Sequence, residues 1–215
     1  LGSFTTETSG FGDTTLGALI GVDMDGAHRW HLNLGISLPT GSIDETGTIL
    51  TPMNTRPTVR LPYAMQLGSG TIDLKPGVTY LGRAGDWSWG AQALGTIRLD
   101  ENDEGYALGD RFEGTAWLAY DFSRSLSVST RLKAVSQGQI DGIDPLIAGP
   151  VQTADPDNYG GETAELLFGA NYLFTDGPLA KNRLAIEAGL PLHRDLNGPQ
   201  LETDWTLTLG WQRAF

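Results

Sequence analysis

The final segment of the chain, residues 203–215, constrains the fold more than any other, because its side chains alternate in polarity. One face is apolar and has aromatic residues at its two ends: Trp205, Leu207, Leu209, Trp211 and Phe215. The other face is polar or small: Asp204, Thr206, Thr208, Gly210, Gln212 and Ala214. A period of two is typical of a β-strand and not of a helix. Aromatic residues at both ends of an apolar face are expected where a strand crosses a bilayer, since they suit its two interfaces.

Eight further segments show the same alternation, and no segment shows a comparable helical period. The nine predicted strands are residues 14–23, 29–38, 71–81, 87–100, 111–122, 126–137, 162–174, 183–192 and 203–215. Pro76 weakens the third strand, because proline cannot donate a hydrogen bond to a neighbouring strand. The sequence therefore predicts an all-β fold, an antiparallel transmembrane β-barrel.

Composition agrees with a membrane barrel and excludes a membrane helix. Charged residues make up only 19% of the 215 residues. No apolar run approaches the roughly 18 residues that a membrane helix needs. In a barrel, half of each strand faces a polar lumen, so the mean hydropathy stays close to neutral. The net charge of -12 argues against a nucleic-acid partner, because phosphate binding needs a basic surface.

The connections between the predicted strands alternate between short and long. The short ones lie at residues 25–26, 84–86, 123–125 and 175–178, and the long ones at 39–70, 101–110, 138–161 and 193–202. Outer-membrane barrels combine tight periplasmic turns with longer extracellular loops. If the carboxyl terminus lies on the periplasmic side, every short turn lies there too. The long loops could fold inward as a plug or stand outward as a binding surface, and the sequence leaves both open.

Aromatic residues on the apolar faces collect at the strand ends assigned to the periplasm. They predict a lipid-facing aromatic girdle of Trp30, Tyr80, Trp87, Trp89, Tyr120, Phe122, Tyr172, Phe174, Trp211 and Phe215. A soluble sandwich would also alternate in polarity, but its apolar faces would point inward and would not collect aromatic residues at one end. The girdle therefore favours a membrane barrel.

The polar faces predict the lining of the lumen. The expected lumen-lining residues are Asp73, Lys75, Arg98, Glu113, Trp117, Asp121, Arg131, Lys133, Glu165, Glu187 and Asp204. Trp117 is the one strand aromatic on a polar face. Charges of both signs on neighbouring strands favour a structural ladder that fills a narrow barrel, with a selectivity filter as the alternative.

Groups that could support catalysis or bind a transition metal are sparse. The chain has no cysteine, and its histidines are His28, His31 and His193. Residues 100–105 resemble the opening of a calcium loop, but Arg111 stands where the bidentate glutamate is required. An acidic solvated loop is the favoured interpretation, with weak divalent binding as the alternative. No Gly-x-Ser-x-Gly motif occurs, so we expect neither an enzyme nor a metal or cofactor.

Five runs of the chain carry a resemblance to a known family. They are Leu38-Pro-Thr-Gly-Ser-Ile-Asp44, Met65-Gln-Leu-Gly-Ser-Gly70, Trp87-Ser-Trp-Gly-Ala-Gln92, Thr153-Ala-Asp-Pro-Asp157 and Gly198-Pro-Gln-Leu-Glu-Thr-Asp-Trp205. These runs resemble the outer-membrane β-barrel transporters of the phenol-degradation meta-pathway type, or MetA-pathway-like proteins. The resemblance implies a membrane barrel that passes small hydrophobic or aromatic compounds.

The expected function is that of a passive transporter or channel for small, hydrophobic or aromatic molecules in the bacterial outer membrane. The alternative is a non-conducting structural or partner-binding barrel with long extracellular loops. The expected partners are outer-membrane lipid, lipopolysaccharide and the barrel-assembly machinery, because a terminal aromatic such as Phe215 resembles the assembly signal of outer-membrane barrels.

Residues 1–215 are expected to form a single domain that is the C-terminal portion of a larger barrel. Single-chain bacterial barrels have an even number of strands, and about nine are predicted here. Three upstream strands would give a barrel of twelve, and family members usually continue upstream of this point. Sharing of strands between the subunits of an oligomer is the alternative.

Overall fold

The computed structural model describes residues 2–23, 26–147 and 149–213, and strands make up most of their regular structure. In chain order the strands are β1 Thr14–Asp23, β2 His28–Leu38, β3 Thr46–Thr48, β4 Thr58–Arg60, β5 Asp73–Ala84, β6 Trp87–Arg98, β7 Tyr106–Ala107, β8 Arg111–Asp121, β9 Leu126–Gln137, β10 Asp141–Gly142, β11 Gly161–Leu173, β12 Asn182–Leu196 and β13 Thr206–Arg213. Three single 3-10 turns lie at Tyr63–Met65, Gln152–Ala154 and Pro156–Asn158. Among the described residues, no helix is long and apolar enough to cross a membrane.

Nine strands form one antiparallel sheet in the order β1-β2-β5-β6-β8-β9-β11-β12-β13. The prediction of an all-β antiparallel fold is confirmed, and each of the nine predicted strands is present. The predicted boundaries differ by up to four residues: β12 continues beyond residue 192 to Leu196, β5 continues beyond residue 81 to Ala84, and β13 begins at Thr206. The turns alternate as predicted, so the sheet has a short-turn end and a long-loop end, where residues 39–72, 99–110, 138–160 and 197–205 connect the strands.

The backbone hydrogen-bond ladder of the sheet has two irregularities. On its β6 side, β5 pairs Leu74 with Ile97 and resumes at Gly77 with Leu94, which agrees with the missing N–H of Pro76. In β12 the pairing with β11 shifts by one residue between Pro191 and His193. A shift of one residue exchanges the two faces of a strand. After this shift, the side chains of β12 that the earlier alternation would place on the exterior face point to the interior.

The edges of this sheet are β1 and β13, which do not pair with each other in the described residues. All ten residues of β1 are exposed. Edge strands leave backbone N–H and C=O groups without partners, which is costly where water is absent. The described residues thus form an open sheet, and the twelve-stranded barrel stays a prediction.

The long loops pack against one another in a small hydrophobic cluster that we call the loop cap. Its buried members are Tyr63, Tyr106, Ile140, Ile147 and Ala154, with Leu108 and Tyr159 packed against them. The ring centroids of Tyr63 and Tyr106 are 4.8 Å apart. Burial raises the pKa of the Tyr106 phenol to about 12, so this ring stays protonated at neutral pH. The short strand pairs β3–β4 and β7–β10 extend the same loops.

An arginine at the centre of the loop cap connects three segments. Arg60 Nη1 lies 3.3 Å from Asp144 Oδ2, and Arg60 Nη2 lies 3.2 Å from Glu104 Oε1. The Asp144 side chain is fully buried and that of Arg60 is 9% exposed. The backbone N–H of Asp144 also donates to the Tyr63 hydroxyl at 3.1 Å. Besides Arg60, the backbone N–H of Leu146 donates to Asp144 Oδ1 at 2.8 Å, so the buried carboxylate has partners at both oxygens.

We predict that Arg60→Met loosens the loop cap. The change keeps an apolar stem but leaves the buried Asp144 carboxylate without its cation, at a cost of about 3–5 kcal/mol. Hydrogen exchange and limited proteolysis of residues 99–110 and 138–160 should both accelerate. Arg56→Met is the matched control, because Arg56 lies in the same loop and is exposed. Equal effects of the two substitutions would contradict the assigned role of Arg60.

Candidate functional site

The polar face of the sheet encloses a cavity of about 1000 Å³, which we call the lumen. Its lining comes from seven strands: Arg83 of β5, Ser88 of β6, Trp117 of β8, Arg131 of β9, Asn171 of β11, Glu187 of β12 and Thr208 of β13. Strands that are distant in the sheet order share this cavity, so the sheet curves with its polar face inside. On the opposite face, large apolar side chains are exposed, including Leu209 and Trp211 at 73% and 72%.

The structure divides the predicted lumen-lining residues among several places. Trp117, Asp121, Arg131 and Glu187 line the lumen. Lys133 and Glu165 line a second cavity of about 210 Å³. Asp73 and Arg98 form a largely buried ion pair, and the Lys75 ammonium donates to the Thr15 hydroxyl at 3.3 Å. Asp204 lies before β13 and is 3.8 Å from Arg194, with 88% of its side chain exposed. The structure thus distributes the set over the polar face, and the lining of one lumen by all of these residues stays a prediction.

Most charges on the polar face are paired, either across strands or along one strand. Arg131 Nη2 lies 3.1 Å from Glu187 Oε2. Glu113 Oε2 lies 3.1 Å from Arg111 Nη2 and 3.7 Å from Lys133 Nζ. Paired charges of opposite sign cancel at a distance. This arrangement favours the structural ladder over a charged selectivity filter.

Five arginines of the two cavities were absent from the sequence prediction: Arg83, Arg111, Arg124, Arg183 and Arg194. Each lies near a strand end, where alternation is least informative about the face. Arg194 follows the one-residue shift in β12, which turns it toward the second cavity. Arg183 is held by the Asn171 amide oxygen, which accepts from its Nε at 3.1 Å and its Nη2 at 2.6 Å.

Bulky side chains on the polar face lie over glycines of neighbouring strands. A Cβ atom placed on Gly90 would lie 2.3 Å from Cζ2 of Trp117, so the indole ring covers that glycine. The Leu94 side chain covers Gly77 in the same way, with 2.5 Å to its Cδ2. Distances below 3.0 Å mean that no larger residue fits without displacing the ring or the leucine. The glycines thus let large side chains lie against the wall and leave the lumen open.

The predicted girdle residues that the structure describes lie at the short-turn end. Cross-strand neighbours form ring pairs there, with centroid distances of 4.7 Å for Trp30 and Tyr80 and 4.8 Å for Trp87 and Tyr120. Tyr80 also accepts a hydrogen bond from Trp89 Nε1 at 3.3 Å. Phe215 lies outside the described residues. Contact of these rings with lipid stays a prediction.

The segment that resembles a calcium loop serves the loop cap instead. The Asn102 side-chain oxygen accepts from the backbone N–H groups of Glu104 at 3.1 Å and Tyr106 at 3.3 Å. Glu104 itself pairs with Arg60. Within the part of the chain that the structure describes, no group of three or more His, Cys, Asp or Glu residues could hold a metal ion. The geometry accounts for residues 100–105 as an acidic loop with a structural role.

Comparisons with known proteins point to one family and one fold. Residues 1–180 match the family described as the putative MetA-pathway of phenol degradation. The crystal structure of an outer membrane channel from Pseudomonas putida is similar, with a TM-score of 0.63 and 19% sequence identity. The match covers 95% of this chain and 66% of that channel, so this chain spans slightly less than two thirds of its length. No curated protein matches. At this identity the likeness shows the shared fold.

We predict that Gly90→Ala destabilises the sheet by about 1–3 kcal/mol, because the added methyl group collides with the Trp117 ring. The midpoint of denaturant unfolding in detergent measures the loss. Gly114→Ala is the matched control, since a Cβ there meets nothing within 4 Å. If both substitutions change the midpoint equally, the packing of Trp117 over Gly90 is not the cause.

We predict that brominated lipids quench the fluorescence of Trp211 and leave Trp117 unaffected. Trp211 lies on the exposed apolar face, whereas Trp117 lines the lumen. In reconstituted protein, Trp211→Phe should remove part of the quenched emission, and Trp117→Phe should remove only unquenched emission. A reversed result would mean that the polar face meets the lipid.

Proposed function

The chain belongs to the family described as the putative MetA-pathway of phenol degradation, and from that premise we propose that it is a passive channel in the bacterial outer membrane for small, hydrophobic or aromatic molecules. The observation that carries the proposal is the lumen. It combines a polar interior of about 1000 Å³ with an exterior whose large apolar side chains are exposed. Soluble proteins rarely expose apolar patches of this extent, whereas a barrel in lipid requires them.

The lining of the lumen suits passage of small solutes with little charge. Cavities of about 300–1000 Å³ are of the size that holds small organic molecules. Arg131 is neutralised by Glu187, and Arg83 pairs with Asp121 at 2.8 Å. Ser127, Ser129 and Asn171 contribute hydroxyl and amide groups to the wall, and Leu126, Leu173 and Ile186 contribute apolar surface. These two ion pairs lower the field along the wall, and Arg183, held by the neutral Asn171 amide, adds a positive charge near the short-turn end.

The proposal includes the expected partners. Outer-membrane lipid and lipopolysaccharide would cover the apolar exterior, and Phe215 would be the residue that the barrel-assembly machinery recognises. Further strands, from the same chain or from an oligomeric partner, would pair with β1 and β13. The unpaired backbone groups of these two edges support that part of the proposal.

A second candidate function is a non-conducting barrel whose long loops bind a partner. The loop cap favours it, because Tyr106 is fully buried there and Arg60 connects three loop segments. An ordered loop surface at the long-loop end would be pre-organised for recognition. The two candidates differ in whether solutes cross the lumen.

We predict that the natural full-length protein, reconstituted in liposomes, passes small neutral solutes and conducts ions in planar bilayers. Conductance should fall when the lumen is narrowed by Ser129→Trp, because Ser129 lines its wall. Leu209→Trp on the exterior is the matched control and should leave conductance unchanged. Protein that inserts correctly but passes neither ions nor small solutes would exclude the channel and favour the second candidate.

A further inference from the structure

We propose that Arg183, held in place by Asn171, forms a binding site for a small carboxylate anion at the short-turn end of the lumen. This site goes beyond the proposed function, because it recognises an ion and can be filled whether or not solutes cross the membrane. Three features carry the proposal: a guanidinium with a free hydrogen-bonding edge, an excess of positive charge in the lumen and small side chains around the guanidinium.

The Arg183 guanidinium is oriented by one neutral side chain. The Asn171 amide oxygen accepts hydrogen bonds from its Nε at 3.1 Å and from its Nη2 at 2.6 Å. A guanidinium carries five N–H donors, so the N–H groups of Nη1 and the second N–H of Nη2 remain, and together they present the two-pronged edge that suits a carboxylate. Among the described residues, Arg183 has no carboxylate partner. Asn171 thus fixes the arginine without neutralising it.

The side chains that line the lumen carry an excess of positive charge. They include four arginines and three acidic residues, which leaves one positive charge over: Arg83, Arg124, Arg131 and Arg183 against Asp86, Asp121 and Glu187. The two ion pairs of the lumen take up two charges of each sign. The excess therefore lies with Arg124 and Arg183 against Asp86. A ligand with a single negative charge would balance it.

This excess charge lies at the short-turn end of the lumen. Arg124 belongs to the turn between β8 and β9, and Arg183 is the second residue of β12. At the long-loop end, residues 99–110, 138–160 and 197–205 contain eleven acidic residues and no lysine or arginine. The electrostatic potential therefore favours an anion at the short-turn end and opposes one at the long-loop end.

Small side chains leave room beside the guanidinium. Ala185 lies two residues beyond Arg183 on the same face of β12 and pairs with Gly210 of β13. Ser127 of β9 lies opposite Asn171 in the ladder. All three positions line the lumen, and the Ser127 hydroxyl can donate a further hydrogen bond to an oxyanion. An anion on the free edge of Arg183 would therefore meet no bulky side chain from these positions.

The shape of the edge and the single excess charge together select a monocarboxylate. A carboxylate has two oxygens in one plane, which match the planar fork of arginine with two parallel hydrogen bonds. Chloride has the same charge but only one centre, so it cannot use both prongs in this way. A dianion would exceed the single positive charge that is left over in the lumen.

The test measures binding of acetate to the full-length protein in detergent by saturation-transfer NMR. Acetate should give a saturable signal that chloride displaces only at higher concentration. Acetamide, which has the same shape without the charge, and methylammonium, which has the opposite charge, should bind at least about tenfold more weakly. Binding of acetamide or methylammonium as tight as that of acetate would overturn the proposal of an anion site.

Substitutions assign the binding to Arg183. Arg183→Gln should weaken acetate binding about fivefold or more. Asn171→Asp should weaken it as well although the arginine is retained, because the new carboxylate neutralises the guanidinium. Arg183→Lys keeps the charge without the planar fork, so it should lose the preference for acetate over chloride.

Arg29→Gln is the matched control, because Arg29 is exposed at the same end of the sheet and lies outside the lining of the lumen. It should leave acetate binding unchanged. Unchanged binding in both Arg183→Gln and Asn171→Asp, or an equal loss in Arg29→Gln, would overturn the site. Binding in detergent does not depend on conduction, so a protein that fails to conduct in bilayers would contradict the proposed function alone.

Discussion

The backbone ladder is the constraint on which every other feature of this protein depends. In hydrocarbon a peptide N–H or C=O without a partner costs several kcal/mol, so each strand must pair with its neighbours along its length. That pairing fixes register, and a slip of one residue would exchange lumen and exterior. The same ladder therefore sets Trp30 beside Tyr80 on the apolar face and Trp117 beside Arg131 on the polar face.

Glycine placement determines what the ladder can enclose. Neighbouring strands lie about 4.8 Å apart, so a bulky interior side chain must either project into the lumen or lie over the next strand. Gly90 and Gly77 permit the second arrangement for Trp117 and Leu94. Gly169 serves the ion pair between Arg131 and Glu187 in a related way, because the position opposite Glu187 on the intervening strand has no side chain. The width and the chemistry of the lumen thus depend on residues that have no functional group.

Alternation of polarity predicted the nine long strands, because each contains several repeats of the two-residue period. Shorter elements have no detectable period. Strands β3, β4, β7 and β10 contain two or three residues each, too few for a period to be detected. The contact of Arg60 with Asp144 joins loops that are distant in sequence, and no local pattern encodes it. Arg194 was missed because the predicted strand ended at residue 192, where the one-residue shift in β12 interrupts the alternation. Trp117 was recognised from the sequence as a lumen residue, but its contact with Gly90 could be identified only from the register of the strands.

The loop cap and the strands that surround the lumen are stabilised by different interactions. The loop cap resembles the core of a soluble protein, because its tyrosine rings pack edge to face beside a buried ion pair. Among the described residues, the Arg60 side chain bonds to the loop residues Asp144 and Glu104 and to the Ile43 carbonyl. Trp117 and Arg131 contact strand residues whose positions the ladder fixes. The cap can therefore open or change in sequence at little cost to the lumen. In the proposed channel, the strand residues would determine which solutes fit the lumen, because the register fixes their positions. The loops would determine how solutes enter, because only side-chain packing holds them in place.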